Sequence, residues 1–413
     1  MNNIKTKAPN YTFALIVMFA VLFLIGFITT MNNSMIEFCK QAFNLKDSQG
    51  QLVNTAFYGA YALSIPFGLM MNKIGYKKTL LLGLAIVGIG FIINYLGISS
   101  LLGMETSVIY SVFLGSMFIV ALGIVMLQLV ANPYVMVLGS PEKGAFRMTL
   151  ANALNSAATT VAPVFITYVI IAGKAPTPDA VPTPYLGLGI FTLILCAILF
   201  FMKLPNINEA EQAEEASGEH KEYKSSVFKY SHVWLGMLGI FFYMGIELGV
   251  PSMLPAYFKS NPSLLEYGTA TEFLSYYWGG MMIGRFAGAV ILNKFKPRHI
   301  LSVCLICGAI CVATSFVLSG IASVYAMLAA GLFHSVMWPL VFNLGLQELG
   351  PHTKAASGII NLGVVGGATL PLVMGAIVDN PALGVGYAIA LMFLYYIYVF
   401  WFCNFGSKIG LKK

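Results

Sequence analysis

Gly123-Ile-Val-Met-Leu-Gln128-Leu-Val-Ala-Asn132-Pro133-Tyr-Val-Met-Val-Leu-Gly139, followed by Ser140-Pro141-Glu142-Lys143 and then Arg147 through Pro163, decides how the chain reads. Gln128 and Asn132 lie four residues apart in an apolar run, so on a helix both amides project from one face. A short charged hinge follows, and a second helix carries Asn152 and Asn155. An amide in hydrocarbon costs several kcal/mol unless it meets a partner, water or a ligand. Two such helices joined by a charged turn predict one wall of a polar cavity inside a membrane.

The stretch has a twin half a chain away. Leu349-Gly350-Pro351 through Lys354 resembles Leu138-Gly139 through Lys143, and Pro371 answers Pro163. Asn152 and Asn361 then fall at nearly the same distance before those prolines. Two copies of one element predict two similar halves facing each other, the construction of secondary transporters, with the site at the interface of the repeats.

Composition sets the class. Hydrophobic residues are 58% of the 413 and charged residues 9%, with a mean hydropathy of +0.81; a soluble domain carries about 25% charged residues. The first apolar run, from Tyr11 to Met31, is too long for a cleavable leader and no small-residue cleavage site follows it. Polar breaks divide the chain into twelve apolar spans of about the length that crosses a bilayer. The expected organisation is a six-span half over 1–204, a solvated linker over 205–230 with six acids and three lysines, and a second six-span half over 231–413. With the N-terminus inside, 18 of the 23 Lys and Arg fall on inner segments, four on outer ones, and Arg285 inside a span. The net charge of +7 therefore orients the chain, with both termini cytoplasmic, and does not point to nucleic acid. The expected setting is a bacterial inner membrane, with the lipid bilayer as surroundings.

Spans three, six, nine and twelve are nearly bare of amides and acids and can face lipid, whereas the other eight enclose something polar. Span one ends in Thr29, Thr30, Asn32, Asn33 and Ser34, and span two carries Asn54, Tyr58 and Tyr61. Glu247 in span seven is the only acid deep in any span, beside Gly245, Gly249 and Pro251. It reads either as a structural carboxylate paired with an arginine or a hydroxyl, or as a ligand or coupling-ion contact. Arg285 in span eight lies in a stripe of glycines 280, 284 and 288 and reads as a gate or helix-pair arginine before a substrate clamp. Tyr276, Tyr277 and Trp278 suit either an aromatic belt or stacking on a sugar. Trp338-Pro339 stands where Asn132-Pro133 stands in the first half. His334 reads as hydrogen-bonded structure before proton relay. The six cysteines, Cys304-x-x-Cys307 included, read as small core residues, and no metal site is expected.

Gly68-Leu-Met-Met-Asn72-Lys73-Ile-Gly75-Tyr-Lys77-Lys78 resembles the loop signature of the major facilitator superfamily, with Asn72 in place of that family's acid; Asn293-Lys294 is a weaker second copy. The resemblance implies an all-α membrane protein of twelve transmembrane helices in two pseudo-symmetric six-helix bundles. Its glycine turn over Asn72, Lys73, Gly75 and Lys77 would let the two lysines latch the cytoplasmic side against neighbouring helix C-termini. Ala56-Phe57-Tyr58-Gly-Ala-Tyr61, Ala131-Asn132-Pro133 through Gly139, Phe146-Arg147, Gly284-Arg285-Phe286 and Pro371 to Gly375 resemble, more finely, the fucose:proton symporter family, which includes glucose/galactose transporters. That likeness implies one bound hexose or deoxyhexose, alternating access and cation symport, with Asn33, Gln128 and Asn152 at sugar-contact or coupling positions. Two of those positions are acids in the fucose symporters and amides here, which cannot titrate. Coupling then falls to Glu247, to sodium, or to neither.

The expected function is uptake of a neutral monosaccharide by a monomer that is not an enzyme and holds no cofactor beyond a coupling proton or sodium ion. Asn33, Asn54, Gln128, Asn132, Asn152 and Asn361 would hydrogen-bond hydroxyls, and Tyr58, Tyr61, Trp278 and Trp338 would supply ring contact. The rivals are a uniporter, an exporter of amphipathic solutes, kept open by 21 Met, and a non-transporting sensor.

Overall fold

The computed structural model describes residues 11–45, 52–140, 143–165, 177–178, 182–202, 204, 223–268, 270–380 and 382–411. Among them the chain is helical throughout. The helices are α1 (Thr12–Ala42), α2 (52–74), α3 (76–101), α4 (Thr106–Val137), α5 (Gly144–Phe165) and α6 (Pro182–Phe201). The second half repeats the set as α7 (Ser231–Ser260), α8 (Ala270–Ile291), α9 (Pro297–Val317), α10 (Gly320–Gly345), α11 (Gly350–Val378) and α12 (Val385–Lys408). No capping acid or base is needed to hold such helices; in hydrocarbon a helix is the one open-chain form that satisfies its own backbone.

Breaks fall where the sequence removes a donor or relaxes φ. Gly75 takes φ 83° and separates α2 from α3 in an otherwise continuous helical run, a conformation open to glycine and strained for other residues. The turn places Lys77 so that its Nζ donates to the Phe200 carbonyl at 2.9 Å, at the C-terminus of α6 where cations are favoured. Asn72 and Lys73 on the same turn are exposed. Arg147, beyond the charged hinge, turns back on the end of α4, its Nε donating to the Val135 carbonyl at 3.0 Å, Nη1 to Ser140 at 2.9 Å, and Nη2 to Met136.

Every third helix is peripheral, as its scarcity of amides and acids predicts. Large apolar side chains stand exposed along α3 (Ile89, Leu96), α6 (Phe191, Ile194), α9 (Val303, Ile310) and α12 (Leu394, Ile397). The halves meet through α2 with α11 and α5 with α8, two contacts that a swap of the halves interconverts. At the end carrying the Gly75 turn the approach is closest: a Cβ on Gly68 would lie 2.8 Å from the Gly358 Cα. There Ser357 Oγ donates to the Leu129 carbonyl at 3.4 Å, and Lys354 Nζ sits 5.0 Å over the Tyr76 ring.

Of the segment read as a linker, 205–222 lies outside the described residues. Residues 223–230 run along the second half, anchored there at a few points while Tyr223, Lys224, Ser225, Phe228 and Lys229 stay exposed. Val227 and Tyr230 are buried, His352 Nε2 meets the Lys224 carbonyl at 2.7 Å, and the positive φ of Gly350 lets its backbone lie against Tyr223.

Candidate functional site

Between the halves lies a cavity of about 160 Å³ whose two walls differ in chemistry. The first half lines it with Thr29 and Thr30 of α1, Tyr58 and Tyr61 of α2, Gln128 and Asn132 of α4, and Asn152, Asn155 and Ser156 of α5. The second half brings Met244 and Glu247 of α7, Trp278, Met281 and Arg285 of α8, and Trp338 of α10. One wall is therefore amide and hydroxyl; the other is a charge pair set among rings and thioethers.

The i, i+4 spacing of Gln128 and Asn132 does put both on the cavity side of α4. Gln128 Oε1 is buried without a hydrogen-bond partner among the described residues. Asn152 donates to the Met148 carbonyl of its own helix at 2.9 Å, which leaves its carbonyl oxygen for the cavity. Asn155, one turn on, has a structural duty as well: its Nδ2 donates to the Leu22 carbonyl at 2.6 Å and ties α5 to α1. Tyr58 and Tyr61 approach with ring centroids 6.2 Å apart, and Trp338 stacks on Phe342 at 5.0 Å.

Glu247 and Arg285 form an ion pair, Nη2 to Oε1 3.4 Å, with side chains 13% and 11% exposed. The carboxylate is thus paired and cavity-facing at once, and the two readings open in the sequence describe one arrangement. Arg285 does more than neutralise it. Its Nε donates to the Ser335 carbonyl at 3.1 Å, a group that Pro339, four residues on, leaves without its helical donor. Its Nη1 donates to Ser156 Oγ of the first half. The planar fork serves three acceptors in three directions, a task lysine cannot perform. Arg285, read from sequence as a gate or helix-pair residue, stands in the cavity wall and joins the two halves.

Two expected contacts, Asn54 and Asn361, do not line this cavity. Asn54 lies to one side, its Oδ1 3.5 Å from Asn32 Nδ2. Asn361 is fully buried, and among the described residues both its amide atoms lack a hydrogen-bond partner. The side chain of Asn33 lies outside the described residues. Conversely Asn155, Ser156 and Met281 line the cavity without having been singled out as contacts. The signal for the first two was present: they fall three and four residues after Asn152, on its face.

Helices of this length and apolarity, paired across a polar cavity by a pseudo-two-fold arrangement, define a membrane transporter. The chain belongs to the Major Facilitator Superfamily, whose family model matches residues 18–372. It is 36% identical over 411 residues to the "Glucose/galactose transporter" of Brucella abortus, covering 98% of this chain and 96% of the relative. To the "L-fucose-proton symporter" of Escherichia coli (strain K12) it is 26% identical over 396 residues, 90% of this chain and 88% of the other. The crystal structure of FucP, a superfamily transporter in the outward conformation, superposes with a TM-score of 0.76 at 24% identity, covering 96% of this chain and 99% of that one. The all-α, twelve-helix fold expected from the sequence is this fold, and the protein is not an enzyme.

Proposed function

We propose that the protein imports a neutral hexose or deoxyhexose by alternating access, coupled to a cation. The observation that carries this is the asymmetry of the cavity: amides of Gln128, Asn132 and Asn152 face the rings of Trp278 and Trp338. Amides exchange hydrogen bonds with hydroxyls and so replace hydration lost on entry, while an indole covers the apolar face of a sugar ring. Among the described residues the one cationic side chain in the wall, Arg285, is already matched by Glu247, which disfavours a charged substrate. A cavity of about 160 Å³ lies below the roughly 300–1,000 Å³ of sites for drug-sized ligands, which weighs against amphipathic cargo. The relatives' names, glucose/galactose transporter and fucose-proton symporter, agree with the reading.

In this reading the chain sits as a monomer in a bacterial inner membrane with both termini cytoplasmic, the orientation its basic residues favour. The end sealed by Gly68 and Gly358 is then cytoplasmic, and the turn of Asn72, Lys73, Gly75 and Lys77 stabilises that closure. Gln128 cannot take up a proton, so Glu247 is the residue through which a proton or sodium gradient acts. Counterflow in proteoliposomes preloaded with single unlabelled hexoses tests the substrate without any gradient. Exchange with one sugar is expected; exchange with none would overturn the reading. Glu247→Gln is expected to retain exchange and lose gradient-driven accumulation, and full accumulation would remove Glu247 from coupling.

A further inference from the structure

Pro251 stands four residues after Glu247 inside α7. A proline has no N–H, so the Glu247 carbonyl loses the donor that a regular helix would give it. In an apolar interior such an orphan needs another partner. It has one: the hydroxyl of Tyr277, from α8, donates to it at 2.8 Å.

The same hydroxyl lies 2.8 Å from His334 Nδ1, and His334 Nε2 meets the Tyr396 hydroxyl. The direction of these bonds follows from counting protons. A carbonyl only accepts, so the single hydroxyl proton of Tyr277 goes to Glu247. His334 Nδ1 must then donate to Tyr277. In an uncharged imidazole that leaves Nε2 bare, to accept from Tyr396. One unbroken chain runs from Tyr396 through His334 and Tyr277 to the backbone of Glu247, with every donor and acceptor used once. It spans α12, α10, α8 and α7. Tyr277 and His334 are fully buried, and the approach depends on Gly331, where a Cβ would meet the Tyr277 carbonyl at 2.6 Å. None of the three relay residues lines the cavity; the chain ends directly behind a residue that does.

We propose that Tyr277 is a positioning residue for Glu247: its hydroxyl, oriented by His334 and Tyr396, replaces the amide that Pro251 removes and so sets the angle at which α7 presents the carboxylate to Arg285 and the cavity. The proposal rests on the reading of Glu247 as the working group of the cavity. His334 accordingly serves as an orienting group and carries no proton to the cavity.

The test is a cycle of Tyr277→Phe, Pro251→Ala and the double variant, read by sugar counterflow and by thermal unfolding of the sugar-free protein in detergent. Alanine at 251 returns an N–H to the Glu247 carbonyl from within α7. Tyr277→Phe alone is expected to lower Tm, through one orphaned buried carbonyl, and to raise the half-saturating sugar concentration about tenfold, through the displaced Glu247 carboxylate. In the Pro251→Ala background both losses should largely vanish. Losses of equal size in both backgrounds would overturn the proposal, since a packing role does not depend on residue 251. The Tm cycle needs no substrate, so an absence of exchange in the parent protein would count against the sugar reading alone. Should Pro251→Ala not fold, Tyr396→Phe takes its place. A loss smaller than that of Tyr277→Phe and absorbed within it supports the chain, and a fully additive loss overturns it.

Discussion

Removing the Arg285 guanidinium should leave this protein with a buried, unmatched carboxylate, and the consequences can be ranked. Arg285→Met deletes the partner 3.4 Å from Glu247 Oε1 and the donor to the Ser335 carbonyl. Breaking a buried ion pair from one side costs about 3–5 kcal/mol, and an orphaned buried carbonyl adds about 1–3 kcal/mol. The two share one side chain and do not add fully. The result is still a large part of the roughly 5–15 kcal/mol that separates a folded domain from its unfolded chain. Glu247→Gln placed on top of Arg285→Met removes the stranded charge, so the double variant should regain roughly 3 kcal/mol over the single one. Arg285→Lys keeps the charge but cannot reach Ser335, Ser156 and Glu247 together, and should lose about 1–3 kcal/mol. Thermal unfolding followed by intrinsic fluorescence in detergent should therefore order the set as parent, Arg285→Lys, double variant, Arg285→Met. If the double variant melts no higher than Arg285→Met, Glu247 does not depend on Arg285 and the pair is not what holds this wall.

Gly68→Ala places a methyl 2.8 Å from the Gly358 Cα and should pry α2 from α11. A cysteine at the fully buried Ser357 should then label several-fold faster with a maleimide, and unchanged labelling would refute the seal. Gln128→Leu should abolish sugar exchange without lowering Tm, because its Oε1 has no partner among the described residues. Asn155→Leu should lower Tm by several degrees through loss of its 2.6 Å bond to Leu22; equal Tm losses in the two variants would contradict this division. Asn361→Leu should raise Tm, since both amide atoms are buried without a partner among the described residues and each such atom costs about 1–3 kcal/mol. A fall in its Tm would mean that the amide is engaged.

The architecture was legible in the sequence because the bilayer imposes it. Length and apolarity allow little except helices, and the charge-free spans could only be peripheral, which the exposed faces of α3, α6, α9 and α12 bear out. The cavity wall on α4 was legible for the same reason, since four-residue spacing puts Gln128 and Asn132 on one face. What failed to carry was anything that depended on rotation about a helix axis. Asn361 matches Asn152 in its count back from a proline, yet it is enclosed rather than cavity-lining, because α11 packs tightly against the first half where α5 opens onto the cavity. The Glu247–Arg285 pair joins residues 38 apart in sequence on different helices; pairing with an arginine was one of two readings of Glu247, and the sequence did not choose between them.

Prolines gave the least away in the sequence and explain the most in the fold. Pro133, Pro251 and Pro339 lie inside α4, α7 and α10, and each withdraws a donor from the carbonyl four residues before it. In all three cases a side chain from another helix takes that carbonyl: Ser357 for Leu129, Tyr277 for Glu247 and Arg285 for Ser335. In water such a bond contributes little, because solvent competes for the carbonyl; in an apolar interior no solvent competes. The prolines thereby convert backbone groups that would be consumed within a helix into anchor points between helices. The three anchors differ in what they join. Tyr277 and Arg285 each bind helices of the second half and so brace the wall that holds Glu247 throughout the cycle. Ser357 reaches across to the first half, as does the Arg285 bond to Ser156. These crossing bonds have to break when the sealed end opens, and water entering there can then satisfy the Leu129 carbonyl. The same substitution of proline for a donor thus yields a rigid brace where both helices belong to one half, and a releasable contact where they do not.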